Sequence, residues 1–333
     1  MSLDLLIEVV VKCLVVFVVV LTAVAYLVLV ERKVLAAMQS RVGPNRVGPQ
    51  GVFQPAADAL KLMTKETIVP LAADKGIFLL APVASLVPAL MTYAVIPFGD
   101  SVHVFGRDVA LRVTDINVAL LYLLAMSSIG VYGLFLGGWS SNNKYALLGS
   151  IRSSAQMVSY ELTMGLALIG VVLLAGSFSL VDIVEAQAKV PFIVYQPVGF
   201  VLFVIAALAE INRTPFDLPE AEPELVAGYH TEYSGMRFAM YFLGEYANLI
   251  TVTAIGTLLF LGGWQVPWPS PAWLAPLWFM IKVAILIFAA IWTRGTLPRF
   301  RFDQLMSFGW KVLLPVAIAN IFVTAGVVAL LHK

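Results

Sequence analysis

Residues 210–228 read EINRTPFDLPEAEPELVAG, and long apolar segments lie on both sides of this stretch, over residues 198–209 and 238–261. Carboxylates beside hydrocarbon are costly, so acids in such a place indicate a functional site. Prolines at positions 215, 219 and 223 exclude one uninterrupted helix. We therefore predict a folded loop of short turns that holds carboxylates at the mouth of a membrane domain. The alternative is an ordinary solvated acidic loop. The acids of the stretch are Glu210, Asp217, Glu220, Glu222 and Glu224, with Arg213 as its one base.

The composition excludes a soluble globular protein. Of 333 residues, 60% are hydrophobic and 12% are charged, whereas soluble domains average about 25% charged residues. The net charge of +1 argues against a nucleic-acid partner. A single cysteine, Cys13, excludes an internal disulfide and an iron–sulfur cluster held by this chain alone. The three histidines are far apart in the sequence and lack the spacing of metal ligands.

The fold class predicted from the apolar segments is an all-α polytopic membrane protein with eight transmembrane helices. Spanning a bilayer takes about 20 apolar residues. The loops on one side would carry 15 Lys and Arg, and those on the other side 5. This bias places the odd-numbered loops in the cytoplasm and both termini on the outer, periplasmic side. The eight segments are approximately 9–30, 77–98, 116–136, 157–176, 194–210, 238–262, 274–293 and 311–331.

This topology gathers the ionisable groups of the membrane domain in the cytoplasmic leaflet. Glu161 would lie near the inner end of the fourth segment, and Glu245 about two turns into the sixth. Ser159 and Tyr160 beside Glu161 would hold water or relay protons, or else only pack helices together. Lys282 lies deep in the seventh segment, where burial favours a partner acid, and we expect Glu245 or Glu161.

The chain reads as a single transmembrane domain, 1–333, with two cytoplasmic loops of interest, 31–76 and 211–237. The first is rich in Gly and Pro, and Pro55 is placed to begin a helix running to about residue 66. An interfacial amphipathic helix without a specific role is the simpler interpretation. Alternating valines over 102–113 predict an outer hairpin.

Three functions are compatible with these patterns. The first is a proton-handling membrane subunit with a chamber for a lipid-like substrate, lined in part by aromatic side chains such as Phe238. The second is a stand-alone ion transporter or channel, which would need acids in both leaflets. The third is a structural anchor, which the cost of so many charges in the membrane disfavours.

Four motifs resemble those of a known family. Residues 31–62, ERKVLAAMQSRVGPNRVGPQGVFQPAADALKL, and the stretch 210–228 resemble the two signatures of the H subunits of bacterial proton-pumping NADH–quinone oxidoreductase, complex I, whose mitochondrial counterpart is NADH dehydrogenase subunit 1. Residues 138–161 and the segment PRFRFDQL at 298–305 are also similar. The resemblance covers nearly the whole chain. Related subunits of membrane-bound hydrogenases and of ferredoxin-dependent oxidoreductases share part of the acidic pattern, and the Arg-, Gly- and Pro-rich first loop favours a quinone user.

The resemblance implies a subunit that joins the redox arm of complex I to its membrane arm and forms the entrance and chamber for quinone. It implies a bacterial inner-membrane location, quinone as substrate, and FMN and iron–sulfur clusters carried by partner subunits. The partners would be the hydrophilic subunits at the quinone site, the small subunits of the membrane arm, and membrane lipid. The residues implied for the quinone passage are Glu31, Arg32, Arg41, Asp58, Phe238 and Arg294. Those implied for the proton path are Tyr160, Glu161, Glu210, Asp217, Glu220, Glu222, Glu224, Glu245 and Lys282.

Overall fold

The protein is a bundle of long helices, seen here in a computed structural model that describes residues 3–104, 107–218, 226–266 and 271–331. An antiparallel hairpin of β1 (Ser101–Val104) and β2 (Arg107–Ala110) pairs Val102 with Val109, as the alternating valines predict. The helices are α1 (Leu3–Met38), α2 (Gln54–Thr64), α3 (Lys75–Met91), α4 (Ala119–Ser140), α5 (Lys144–Ala175), α6 (Leu180–Ala186), α7 (Phe192–Tyr195), α8 (Pro197–Glu210), α9 (Gly235–Phe260), α10 (Ala275–Thr296), α11 (Phe302–Phe308) and α12 (Leu314–Leu331).

Within the described residues, seven helical stretches are long and apolar enough to cross a membrane. They confirm a polytopic all-α membrane protein. The predicted span 194–210 corresponds to α8, which has 14 residues and so a length of about 21 Å, short of a hydrocarbon core of about 30 Å. The seven are Leu6–Met38, Lys75–Ala94, Ala119–Ser140, Lys144–Ala175, Gly235–Phe260, Ala275–Thr296 and Phe302–Leu330.

The ends of several helices follow from local chemistry. The side chain of Asp74 accepts hydrogen bonds from the backbone amides of Gly76 and Ile77 and so begins α3. Asn143 caps α5 in the same way, and Gly176 ends it in the left-handed conformation at φ 71°. The fourth predicted segment therefore belongs to a helix that starts thirteen residues earlier, since a polar cap and not an apolar run sets its beginning.

Helix α5 runs through the middle of the bundle and packs against α4, α8 and α12. On one side, α3 and α4 approach so closely that a Cβ on Gly133 would lie 2.5 Å from the backbone nitrogen of Ser85. Only glycine permits this contact, and it brings the serines in the middle of α4 against the centre of the bundle. The outer faces of α1, α10 and α12 expose Leu, Val, Ile and Phe side chains, as lipid-facing helices do.

The helix predicted in the loop after the first span is present as α2, and it begins around Pro55 as expected. Its Leu60 and Met63 are exposed. On its other face, α2 packs against α1 and the first half of α9. The loop helix is thus a wall of the bundle as well as an amphipathic surface.

Candidate functional site

Four charged side chains from four separated parts of the sequence meet in one buried cluster. Glu31 near the end of α1 accepts a hydrogen bond from Nη1 of Arg213 at 2.7 Å, and Arg294 near the end of α10 pairs with the same carboxylate oxygen. Nε of Arg213 lies 2.6 Å from a carboxylate oxygen of Glu245 on α9. The side chains of Glu31 and Arg213 are 3% and 7% exposed. Two acids and two bases therefore balance one another largely out of contact with water, which is the condition under which buried charges are tolerated. We call Glu31, Arg213, Glu245 and Arg294 the charge cluster.

Arg213 is the centre of this cluster. Its guanidinium carbon lies 4.3 Å from the ring centroid of Tyr246, so a cation–π contact supports it. Burial would lower the pKa of Arg213, but Glu245, Tyr246 and Glu31 raise it above its ordinary value. The guanidinium therefore stays charged and keeps the two carboxylates at a fixed separation.

A second ion pair lies one turn further along the loop that follows α8. Nη2 of Arg299 donates to Asp217 at 2.9 Å, and the side chain of Asp217 is 5% exposed whereas that of Arg299 is 40% exposed. Burial raises the pKa of Asp217 from 3.8 to about 6, because the attraction of Arg299 offsets the lost solvation only in part and Glu245 repels the ionised form. Asp217 can therefore exchange a proton near neutral pH.

Two adjacent serines of α4 bind the carboxylates of α5 and α8. Ser127 donates to Glu210 and Ser128 donates to Glu161. Glu210 is buried, and within the part of the chain that the structure describes its second oxygen has no hydrogen-bonding partner. Because both serines are on one turn of α4, they hold the two acids side by side.

Two narrow cavities lie beside Glu210, the first with a largely apolar lining and the second with a more polar one. Both are lined by Ser85, Glu210 and Asn248, and the second reaches Glu245. The first also has the hydroxyl of Thr251 in its wall. Glu210 and Glu245 thus border one cavity, and the adjacent serines of α4 bind Glu210 and Glu161. All three acids are among the residues predicted for the proton path.

A larger cavity of different character lies between α1, α2 and α9. It holds about 1210 Å³ of space, counting the part that opens to the surroundings, and its wall is largely apolar. One end carries an ion pair in which Arg32 donates to Asp58 at 2.9 Å, and Gln54 donates to the other oxygen of Asp58. Such a cavity suits an elongated apolar molecule with a polar head. Its apolar lining includes Ala25, Val28, Leu29, Leu62, Met63, Phe238, Ala239, Phe242 and Leu243.

The structure divides the predicted residues between these places. Arg32, Asp58 and Phe238 line the apolar cavity, while Glu31 and Arg294 belong to the charge cluster. Arg41 lies on the exposed surface, where it bonds Gln39. Tyr160 is fully buried, and its hydroxyl donates to the carbonyl of Leu305 at 3.0 Å. The predicted proton-path acids Glu220, Glu222 and Glu224 lie outside the described residues.

The expected partner of Lys282 is wrong. Its Nζ donates to the backbone carbonyls of Leu261, Gly263 and Gln265 at 2.6–3.0 Å. These carbonyls follow the end of α9, sixteen residues and about 24 Å along the helix from Glu245. The lysine therefore satisfies backbone carbonyls of the turn that follows the helix, which is why it needs no acid.

Sequence reasoning did not assign a role to Arg213, Ser127 or Ser128. A lone base within an acidic stretch was the available signal for Arg213, because an isolated cation among carboxylates is placed to pair with them. The serines gave no comparable signal, since Ser is common in membrane helices as packing. Among the described residues, no three His, Cys, Asp or Glu side chains converge as metal ligands would.

Known proteins resemble this chain over nearly its whole length. Residues 11–325 match the family described as NADH dehydrogenase. The first of two H subunits of NADH-quinone oxidoreductase in Geobacter metallireducens is 57% identical over 319 residues, which cover 96% of each chain. The second H subunit of NADH-quinone oxidoreductase in Geobacter sulfurreducens is 58% identical over 316 residues, 95% of each chain. The protein of the same name from Syntrophobacter fumaroxidans is 55% identical over 322 residues, 97% of this chain and 96% of the relative.

Proposed function

The chain belongs to the NADH dehydrogenase family, and from this premise we propose that it is the membrane subunit of a proton-translocating NADH–quinone oxidoreductase that receives quinone and couples its reduction to proton movement. It joins the redox arm to the membrane arm in a bacterial inner membrane. Electrons reach the quinone from FMN and iron–sulfur clusters on partner subunits. The eight-span arrangement with both termini outside belongs to the same proposal. In it, α8 is a short span, the fifth along the chain, in addition to the seven long helices.

One observation carries this function. Glu31 and Arg32 are consecutive residues of α1, and they serve two different places: Arg32 lines the apolar cavity, and Glu31 is paired within the charge cluster. Consecutive residues of a helix project about 100° apart. A single turn of α1 therefore separates a site suited to quinone from a buried chain of carboxylates.

The chemistry of each part fits its task. The apolar wall would hold the isoprenoid tail of a quinone, and the Arg32–Asp58 pair would meet its polar head as it passes. The carboxylates Glu245, Glu210 and Glu161 and the serines of α4 supply acceptors and donors for a proton relay. Acids on such a path titrate together, so proton uptake belongs to the group and not to one residue.

The alternatives have less support. A hydrogenase-type or ferredoxin-dependent oxidoreductase would share the acidic path, but relatives at 55–58% identity are named as H subunits of NADH-quinone oxidoreductase. A stand-alone transporter would need a second set of acids at the outer side. Lys282, which such a set of acids would be expected to pair, bonds backbone carbonyls instead.

The test is to fill the apolar cavity in the assembled complex. Ala25 lines it, and Ala23 lies two positions away on the exposed side of the same helix. We expect Ala25→Trp to lower kcat/KM for a long-tailed quinone about tenfold, which corresponds to about 1.4 kcal/mol, and to affect a short-tailed quinone less. Ala23→Trp is the matched control and should leave both values unchanged.

Electron transfer from NADH to a water-soluble acceptor measures whether the redox arm is intact. The comparison uses complexes that retain this activity. If Ala25→Trp and Ala23→Trp then have equal kcat/KM values with a long-tailed quinone, quinone does not pass through the cavity.

A further inference from the structure

A glutamine of α5 connects the two ends of the segment that supplies Arg213. Gln156 is fully buried, and its Nε2 donates to the backbone carbonyls of Ala209 and Phe216, each at 2.7 Å. These two carbonyls immediately precede Glu210 and Asp217. One side-chain amide therefore fixes the backbone at two of the acids that the proposed function uses.

The two bonds meet a physical need at the end of α8. The last carbonyls of a helix have no partner within it. Besides the amide of Gln156, the carbonyl of Ala209 meets the backbone amide of Ile211 and, at 3.2 Å, that of Asn212. The carbonyl of Phe216 likewise accepts from Leu218 at 3.0 Å in a tight turn. Both N–H groups of the Gln156 amide are used, so the two ends of the segment are held at a fixed separation.

The amide also has a cost, which favours a role beyond packing. Its oxygen is buried and has no hydrogen-bonding partner among the described residues, and an unsatisfied buried acceptor destabilises a fold. An apolar side chain of similar length would avoid this cost but would leave the segment 210–216 without its two fixed points.

Resting on the function proposed above, we propose that Gln156 is a positioning residue for proton transfer: it sets where Glu210, Arg213 and Asp217 stand, and so the rate at which protons move between the carboxylates. It touches no substrate and acts through the backbone alone. The ionisable residues within five positions of Gln156 on α5 are Arg152, Tyr160 and Glu161. Those at or between the two carbonyls that it binds are Glu210, Arg213 and Asp217.

Two substitutions in the assembled complex test this role. Gln156→Met keeps the length of the side chain and removes both donors, and we expect kcat for quinone reduction to fall about tenfold with KM unchanged. Gln156→Glu places a carboxyl against two carbonyls and can donate one bond only when protonated. Its activity should therefore recover as pH is lowered from 8 to 6, unlike that of Gln156→Met.

Gln187 is a matched control, because it is a buried glutamine whose Nε2 also donates to two carbonyls, those of Ile183 and Leu258 at 3.1 and 2.8 Å. Gln187→Met should leave kcat and the pH profile per assembled complex unchanged. Electron transfer from NADH to a water-soluble acceptor should stay at the wild-type level in every variant.

The inference is overturned if assembled Gln156→Met keeps the wild-type kcat and pH profile, or if Gln187→Met lowers kcat equally. If Gln156→Met does not assemble, Gln156→Glu decides, and activity that does not depend on pH in the expected direction overturns it. Asp217→Asn is measured beside them. If Asp217→Asn loses coupled activity but the Gln156 variants do not, this inference fails and the proposed function stands. Failure of the proposed function is recognised separately, by equal kcat/KM values of Ala25→Trp and Ala23→Trp with a long-tailed quinone.

Discussion

Replacing Arg213 by methionine tests the central element of the site. Methionine retains much of the length and apolar surface of arginine but removes the cation shared by Glu31 and Glu245. The charge cluster then carries two carboxylates and only Arg294, so its net charge changes from zero to −1. The side chain of Arg294 is 32% exposed, so water, rather than Glu31 alone, solvates part of it.

The size of the effect follows from burial. Breaking a buried ion pair by removing one partner costs about 3–5 kcal/mol, because a charge is left without compensation. The cluster can reduce this cost by taking up a proton, which restores neutrality but blocks one carboxylate of the relay. Even one third of the full cost would slow a coupled step about tenfold. We therefore expect quinone reduction and proton pumping by Arg213→Met to fall at least tenfold.

The assay uses membranes carrying the assembled complex. NADH–quinone activity and the proton gradient report coupling, and electron transfer from NADH to a water-soluble acceptor reports the redox arm. Arg301→Met is the control, because Arg301 and its partner Asp303 are 76% and 66% exposed and a surface pair of this kind contributes about 0–1 kcal/mol. Both activities of this control should stay near the wild-type level.

One result would refute the reasoning directly. If Arg213→Met assembles and keeps wild-type quinone reduction and pumping, the charge cluster balances charges but takes no part in coupling. Equal losses in Arg213→Met and Arg301→Met would instead assign the effect to the overall charge of the face that carries both arginines.

Two further predictions concern Asp217 and Lys282. The pKa of Asp217 is raised on folding to about 6, so between about pH 4 and pH 6 the folded state holds a proton that the unfolded state releases. The protonated carboxyl therefore contributes about 3 kcal/mol to the free energy of unfolding. This contribution is complete below about pH 4 and is lost as pH rises to about 6. Thermal inactivation of quinone reduction should accordingly occur at lower temperature as pH is raised from 5 to 7, and Asp217→Asn should flatten this dependence; a steeper dependence in the variant would contradict the assignment. Lys282→Met leaves three carbonyls at the end of α9 without their donor, so the Tm of the complex should fall while pumping per assembled complex stays constant. If Lys282→Met assembles fully and keeps its Tm but loses pumping, Lys282 is part of the proton path and its role is not structural.

The sequence predicted the parts of this molecule that depend on local pattern. Helix α2, the outer hairpin and the long apolar helices follow from proline position, alternation and hydrophobic length, all of which act over a few residues. The predicted beginning of α5 is wrong because its N-cap, Asn143, lies in a polar stretch that an apolar window excludes. α8 shows the opposite problem, since its apolar composition indicates a span while its length falls short of one.

For the site itself, the sequence predicted several of the residues that belong to it but not which of them contact one another. Acids beside hydrocarbon identified Glu31, Glu210 and Glu245 as candidates, since their cost is readable from residue type and position. The base with which each acid pairs depends on how the helices pack. This packing cannot be predicted from the positions of the residues in the sequence. Lys282 shows the consequence: burial correctly implied that it needed partners, but carbonyls at a helix end met the need as well as a carboxylate would have.

If quinone passes through the apolar cavity as proposed, the short distance between this cavity and the charge cluster limits how coupling can work. A unit charge that develops near Arg32 about 10 Å from the cluster would interact with it by about 1.7 kcal/mol at an effective dielectric constant of about 20. That changes a protonation equilibrium nearly twentyfold, about 18-fold at 1.36 kcal/mol per factor of ten, whereas a full switch between two states takes about 5.5 kcal/mol. One carboxylate responding alone is therefore insufficient. The same perturbation can act on several acids, because buried groups follow one another in the order Glu31, Arg213, Glu245 and Glu210. Each proton that moves then changes the electrostatic field at the next acid. The segment 210–217 then matters because its backbone carries both the shared cation and two of the acids.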